Sequence, residues 1–200
     1  MNQISKDRLT NHFRYVWPAY IISALLIAGG LSFIFQAVHK LPEYKTLTIF
    51  VSGKVTDGKT LKEDLLNTYQ DKELKSVSTI SADPNEGHYN TKLTIPGYSS
   101  ADVLIIPVSK LENLDASYFA IDLKEELITS FYSGYSFYKQ DEVNYGIKIN
   151  KETVKPYMSL PNEDCYMFLN GNSYNIGEYA NKPVKEHDLA LHLVKQWGSK

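Results

Sequence analysis

The sequence predicts an α/β domain, a largely parallel sheet flanked by helices, preceded by one transmembrane helix. Short runs of strand composition at Leu47–Ser52, Asp102–Pro107, Tyr145–Ile149 and Cys165–Asn170 are separated by stretches of helical periodicity. Strands that alternate with helices favour parallel pairing, because the crossover between parallel strands is usually a helix. Ahead of these runs, no Asp, Glu, Lys, Arg or His occurs between Tyr15 and Val38.

That uncharged run of about 24 residues makes a helix of roughly 36 Å, enough to cross a hydrocarbon core of about 30 Å. Tyr15, Trp17 and Tyr20 cluster at one end, where amphipathic rings prefer the headgroup region, and Pro18 is expected in the first helical turn. Gly29 and Gly30 are adjacent and form no G-x-x-x-G motif. The run is longer than a signal-peptide core, and neither an A-x-A-like site nor a lipid-bearing cysteine follows it. It therefore reads as an uncleaved signal anchor. Lys6, Arg8 and Arg14 precede it, against Lys40 and Lys45 close behind, which orients the N-terminus toward the cytoplasm. Residues 1–14 are read as the cytoplasmic N-terminus, 15–38 as the anchor, 39–46 as a tether and 47–200 as an extracytoplasmic domain.

Within that domain LTIFVS opens as a strand, and Leu61, Leu65, Leu66 and Tyr69 then share one helical face. Thr60 and Glu63 have capping-box spacing at its start. Leu74–Ile80 alternates apolar and polar as a half-exposed strand does, and a polar loop follows from Asp83 to Gly87. DVLIIP at 102–107 is nearly continuous apolar, the mark of a strand covered on both faces. Ser109 and Glu112 repeat the capping-box spacing, and Asp122 to about Phe131 reads as a further helix. After the strands YGIKI and CYMFLN, Leu189, Leu193, Val194 and Trp197 form the inner face of a closing helix.

Composition excludes several classes. The 200 residues carry a formal net charge of −2 and a mean hydropathy of −0.30. This total combines +3 over residues 1–40 with −5 over 41–200. There is no basic excess for nucleic-acid binding, and a mildly acidic domain is unsuited to lying flat on anionic lipid. Cys165 is the single cysteine, so an internal disulfide framework and a cysteine zinc cluster are both ruled out. The absence of an N-x-[ST] sequon, with that single cysteine, suits a bacterial exported protein.

One motif matches by letter. Gly53–Thr60 reads G-x-x-x-x-G-K-T between a predicted strand and a predicted helix. In a nucleotide site Lys59 would neutralise phosphate and Thr60 would hold magnesium. The loop interior, Lys54-Val55-Thr56-Asp57, carries two β-branched residues and a carboxylate where small residues let the backbone curl around an anion. Other catalytic patterns are poorer. His187 and His192 are five apart and do not share a helix face, Glu125 and Glu126 point in different directions, and no complete G-x-S-x-G elbow occurs. No cofactor, metal site or catalytic constellation is expected. The stretch Phe131–Tyr138, with Tyr132 and Tyr135, offers either stacking surface for a ligand or a packed connection and edge strand.

Taken together, LTIFVS, the amphipathic helix, SSADVLIIP with Ser109, YGIKI and CYMFLNGNSYNIG resemble the bacterial extracellular solute-binding proteins of ABC transporters. The resemblance covers scattered pieces of about residues 46–197. It implies a single lobe of a fold that normally closes two lobes around its ligand, with a transporter permease as a possible partner. Independently, parallel α/β sheets bind ligands outside the carboxyl ends of their strands. Those ends are Ser52/Gly53, Ser81/Asp83, Pro107/Ser109 and Asn170/Ser173, groups suited to small polar or anionic solutes and equally to turns and caps. The expected function is a membrane-anchored, non-catalytic binding domain. An assembly partner without a small ligand is the first alternative, and a nucleotide-binding protein acting through Lys59 is the second.

Overall fold

The computed structural model describes residues 6–39, 41–181, 183 and 186–200; within the first helix, side chains are described for Arg14, 17–32 and Phe35. The chain divides into two units, one ending at Leu41 and the other spanning Pro42–Lys200.

The first unit is a single helix, α1 (Lys6–His39), of 34 residues. Pro18 lies in its interior rather than its first turn, because the helix begins well upstream in KDRLTNHFR. Trp17, Tyr20, Ile22, Leu25, Leu26, Ile27, Leu31 and Phe35 are all exposed. Among the described residues no helix is long and apolar enough to cross a membrane. The expected span over 15–38 includes Tyr15, Val16, Phe33, Ile34 and Gln36–Val38, whose side chains lie outside the described residues, as do those of Lys6, Arg8 and Lys40.

The second unit is an α/β fold whose elements run in chain order as follows. β1 (Thr46–Ser52), β2 (Lys54–Val55), α2 (Gly58–Thr68) and β3 (Ser76–Ala82) come first. A helical segment follows, made of α3 (Tyr89–Lys92), a π-turn over Leu93–Gly97 and α4 (Tyr98–Ser100). β4 (Val103–Pro107), α5 (Val108–Leu111), α6 (Glu125–Phe131), β5 (Phe137–Gln140) and β6 (Val143–Lys148) are next. The chain closes with α7 (Lys151–Val154), β7 (Met158–Ser159), β8 (Cys165–Leu169) and α8 (Leu189–Trp197).

Six strands form one sheet in the order β3-β1-β4-β8-β6-β5, and β2 pairs with β7 in a separate ribbon. β1 pairs parallel with both β3 and β4. β8 is antiparallel to β4 and β6, and β5 is antiparallel to β6. Four strands therefore share one direction, while β8 and β5 run against it. The parallel character expected from the sequence is thus concentrated in β3-β1-β4. β5 and β6 form a hairpin across Asp141 and Glu142, both left-handed at φ 50° and 67°. This is the backbone of a primed turn, made without the Asn-Gly or Asp-Gly pair that announces one.

Apolar side chains cover both faces of the sheet. Leu47, Ile49 and Val51 of β1, Val103 and Ile105 of β4, and Met167 and Leu169 of β8 pack with Leu61, Leu65, Leu127, Leu193 and Trp197. The alternate residues Phe50, Leu104, Ile106 and Phe168 face the other way, onto Tyr89, Leu93 and Phe119. All five residues of β4 are buried, as its unbroken apolar run predicts. Gly146 of β6 is required where the Phe168 ring crosses the strand, since a Cβ there would stand 2.9 Å from the ring.

Candidate functional site

The carboxyl ends of β1, β3 and β4 bring together part of the expected site. In the parallel register Ser52 lies beside Ala82 and Val51 beside Ser81, so Ser52, Gly53, Ser81 and Asp83 are neighbours. Their polar groups bond to one another and to adjacent protein. The buried Ser52 hydroxyl shares a 2.7 Å hydrogen bond with the Tyr89 hydroxyl, whose pKa is pushed up to about 12 chiefly by burial. Ser81 Oγ donates to the Gly53 carbonyl at 2.6 Å, Gly53 N–H donates to Ala82 O at 2.9 Å, and Asp83 Oδ1 accepts from Asn85 N–H at 2.9 Å. Ser109 donates from both N–H and Oγ to the Glu163 carboxylate, at 2.8 and 2.7 Å. The Ser109–Glu112 capping box is therefore not formed; the acid that meets Ser109 comes from the loop before β8.

The Gly53–Thr60 segment is occupied in the same manner. Lys54–Val55 is strand β2, paired with Met158–Ser159. The N–H groups of Thr56 and Asp57 donate to Tyr157 O at 2.9 and 3.1 Å, and that of Leu61 donates to Asp57 O at 3.2 Å. Asp57, not Thr60, caps α2. It accepts from Thr60 N–H at 2.9 Å and from Thr60 Oγ1 at 2.7 Å, and these bonds hold its carboxyl below the usual range. Lys59 pairs with Glu63 along the helix at 3.9 Å. A phosphate cradle needs free, convergent N–H groups, and here those of Thr56, Asp57 and Thr60 turn to protein acceptors.

Tyr132 and Tyr135 are packing residues. Tyr132 is fully buried and donates to Leu191 O at 3.1 Å, while Tyr135 donates to Lys195 O at 2.8 Å, so both fasten the connection after α6 to α8. The edge-strand alternative for this stretch is realised in β5. His187 stacks on Tyr44 at 3.9 Å and His192 lies 3.1 Å from Asp188. Among the described residues no group of three His, Cys, Asp or Glu side chains is placed to hold a metal.

Ser173 is at the opposite end of the sheet. Because β8 runs antiparallel, its carboxyl end lies beside the start of β4, with Leu169 opposite Val103. There Ser173 belongs to a buried polar network centred on Asp102, which is 6% exposed. Asp102 Oδ1 accepts from Ser173 Oγ at 2.5 Å and Asn175 Nδ2 at 3.1 Å, and Oδ2 accepts from Thr48 N–H at 2.7 Å. Asn175 Nδ2 also donates to Thr46 O at 2.9 Å, and Asn170 Nδ2 donates to Ala101 O and Tyr98 O at 2.7 and 2.9 Å. Burial raises the Asp102 pKa to about 6, against the lowering effect of the bonds from Ser173, Thr48 and Asn175.

This network fixes the loop that follows β8, and the loop borders two clefts. The larger, about 430 Å³, lies between residues 117–124 and 171–181; its walls include Tyr118, Asp122, Lys124, Asn172, Glu178 and Asn181. The smaller, about 280 Å³, shares Asn172 and Asn181 and adds Glu43, Ser99, Ser173 and Tyr174. Asn181 Nδ2 donates to Asn172 Oδ1 at 3.2 Å, and Tyr118 is 83% exposed.

No protein-family model and no curated protein matches this chain.

Of the expected site residues, Ser52, Gly53, Ser81 and Asp83 gather at one end of the sheet, Ser109 binds Glu163 beside them, and Ser173 alone borders a described cleft. Sequence reasoning missed Tyr118, Asn172 and Asn181 as cleft residues, and Asp102 as the group that orders the loop. Two signals were present: a carboxylate heading a run of five buried residues, and the density of Asn in NGNSYNIGEYAN.

Proposed function

We propose that this protein is a membrane-anchored, extracytoplasmic binding module, similar to one lobe of a bacterial solute-binding protein, that holds a small polar solute beside a membrane partner such as a transporter permease. The site is the larger cleft, between residues 117–124 and 171–181. The observation that carries this reading is the use of a buried carboxylate, Asp102, to fasten the loop that borders the cleft. A buried ionisable group is expensive compared with apolar packing; here the two carboxylate oxygens accept from three donors while Asn175 Oδ1 has no partner, and such a network can define a unique loop conformation. A pre-shaped loop beside an open cleft suits binding, since little ordering entropy is then lost when a ligand arrives. The anchor is supported by the uncharged run from Tyr15 to Val38 and by the exposure of the consecutive residues Leu25, Leu26 and Ile27, which point to three sides of a helix.

Two measurements on the full chain test the reading. With Cys165→Ser removing the native thiol, Tyr118→Cys is expected to react with a membrane-impermeant maleimide in intact cells. Reaction only after the cells are opened would overturn the extracytoplasmic assignment. Thermal melts of the detergent-solubilised protein against sugars, amino acids, short peptides and polyamines are expected to show a rise with one class. Absence of a rise with every class, together with co-purification of a membrane protein, would replace the reading with that of an assembly partner.

A further inference from the structure

We infer that the solute taken by the larger cleft is a neutral saccharide of one or two rings, an inference that rests on the binding role proposed above. The cleft volume of about 430 Å³ falls within the range of small-molecule sites, roughly 300–1,000 Å³. Its lining combines groups that a sugar uses together. Tyr118 presents an aromatic ring that is 83% exposed, a flat surface against which the C–H face of a pyranose can lie. Asn172 and Asn181 contribute side-chain amides, each able to donate and accept, which is the dual demand that vicinal hydroxyls make. Asp122 adds an acceptor for a hydroxyl proton, and Lys124 adds a donor.

Charge argues in the same direction. The ionisable walls are Asp122 and Glu178 against Lys124, a mixture that gives neither an anion nor a polyamine a concentrated field of opposite sign. The two amides are also held in advance. Asn181 Nδ2 bonds Asn172 Oδ1 at 3.2 Å, and Asn172 N–H donates to Asn170 Oδ1 at 3.0 Å. Asn170 is in turn tied to Ala101 O and Tyr98 O. An arriving hydroxyl can therefore exchange with the long amide–amide bond while the backbone beneath it stays fixed.

The test uses the full chain in a polyoxyethylene detergent, chosen because sugar-headed detergents would compete. Glucose, galactose, mannose, N-acetylglucosamine and maltose are titrated by calorimetry alongside glycine betaine, spermidine and glutamate. At least one saccharide is expected to bind. Tyr118→Ala and Asn181→Ala are each expected to weaken it by about tenfold, while Tyr118→Phe, which keeps the ring, leaves affinity within about twofold. Binding of betaine, spermidine or glutamate that is lost in Tyr118→Ala, with no saccharide binding, would overturn the ligand class and leave the cleft as the site. Saccharide binding unchanged in both alanine variants would overturn the cleft itself. No binding by any of the five sugars would also overturn the inference.

Discussion

The two ends of the sheet solve the same problem differently. At the carboxyl ends of β1, β3 and β4, small polar groups form short, local bonds. Ser81 reaches the next strand's Gly53, Asp83 bonds two residues along its own loop, and Ser109 meets Glu163. At the other end one carboxylate, Asp102, is buried and joined to a backbone strand and to two residues of a distant loop, Ser173 and Asn175. The first arrangement closes turns at little cost. The second takes a charged group out of water, which is expensive, and returns a loop held in one conformation. The end that strand direction favours for ligand binding is thus largely self-satisfied, while the end beside β8 combines costly internal order with open clefts.

Removing Asp102 should separate the two ends most strongly. Asp102→Ala leaves Thr48 N–H, Ser173 Oγ and part of Asn175 without their acceptor in a buried site. A buried polar group left without its partner typically costs about 1–3 kcal/mol. Ser81→Ala, at an exposed hydroxyl on the other end, should change stability by about 0.5 kcal/mol or less. Urea unfolding followed by tryptophan fluorescence reads both, because Trp197 is buried in the core. Equal losses for the two variants would erase the distinction.

The pH dependence should follow the same group. The Asp102 pKa is raised from 3.8 to about 6 in the folded protein by burial. Between those values the native chain holds one proton more than the unfolded chain, so stability rises as pH falls through about 6 and the gain levels off near the unfolded value. Its contribution is roughly 2–3 kcal/mol at most. Asp57, Glu73 and Asp188 work in the opposite sense, since their carboxyls are held low and their stabilisation fades in acid. The clean measurement is therefore the difference between the wild-type and Asp102→Asn profiles from pH 7 to pH 4. A carbon-detected NMR titration of the Asp102 carboxyl should give a midpoint near 6 directly. A midpoint in the ordinary aspartate range would mean that the three donors outweigh burial.

Strand identity was legible because it depends on local composition. LTIFVS, DVLIIP and CYMFL became β1, β4 and β8, and the apolar stripe ending at Trp197 became α8. Strand direction was not legible, because the residues of CYMFL pack equally well whichever way the strand runs. That single ambiguity moved Ser173 from the expected site to the other end of the sheet. Caps were misassigned for a related reason. Ser109 and Glu112 have the right spacing, but Glu163, 54 residues away, bonds Ser109 instead. Thr60 and Glu63 fared similarly, since Asp57 is the better acceptor and stands three positions earlier. The hairpin at Asp141 and Glu142 gave only a weak turn signal, because Asp141 is a turn former but Glu142, equally left-handed, is not.

Ser52 provides the finest distinction. Among the residues expected at the carboxyl ends of β1, β3 and β4, it alone makes a side-chain bond in full burial, hydroxyl to hydroxyl with Tyr89 at 2.7 Å. Ser52→Ala leaves the Tyr89 hydroxyl without that partner, at a cost of about 1–2 kcal/mol. Tyr89→Phe leaves the smaller Ser52 hydroxyl in the same position, and the double variant removes both polar groups at once. If the bond only satisfies its own two members, the double variant should be less destabilised than the sum of the singles by about 1 kcal/mol. A coupling near zero would mean that each hydroxyl finds another partner when released, as a group facing a hydrated site can. The carboxyl end of β1 would then be as open to a polar ligand as the cleft beside β8, and the contrast between the two ends would narrow to the Asp102 network alone.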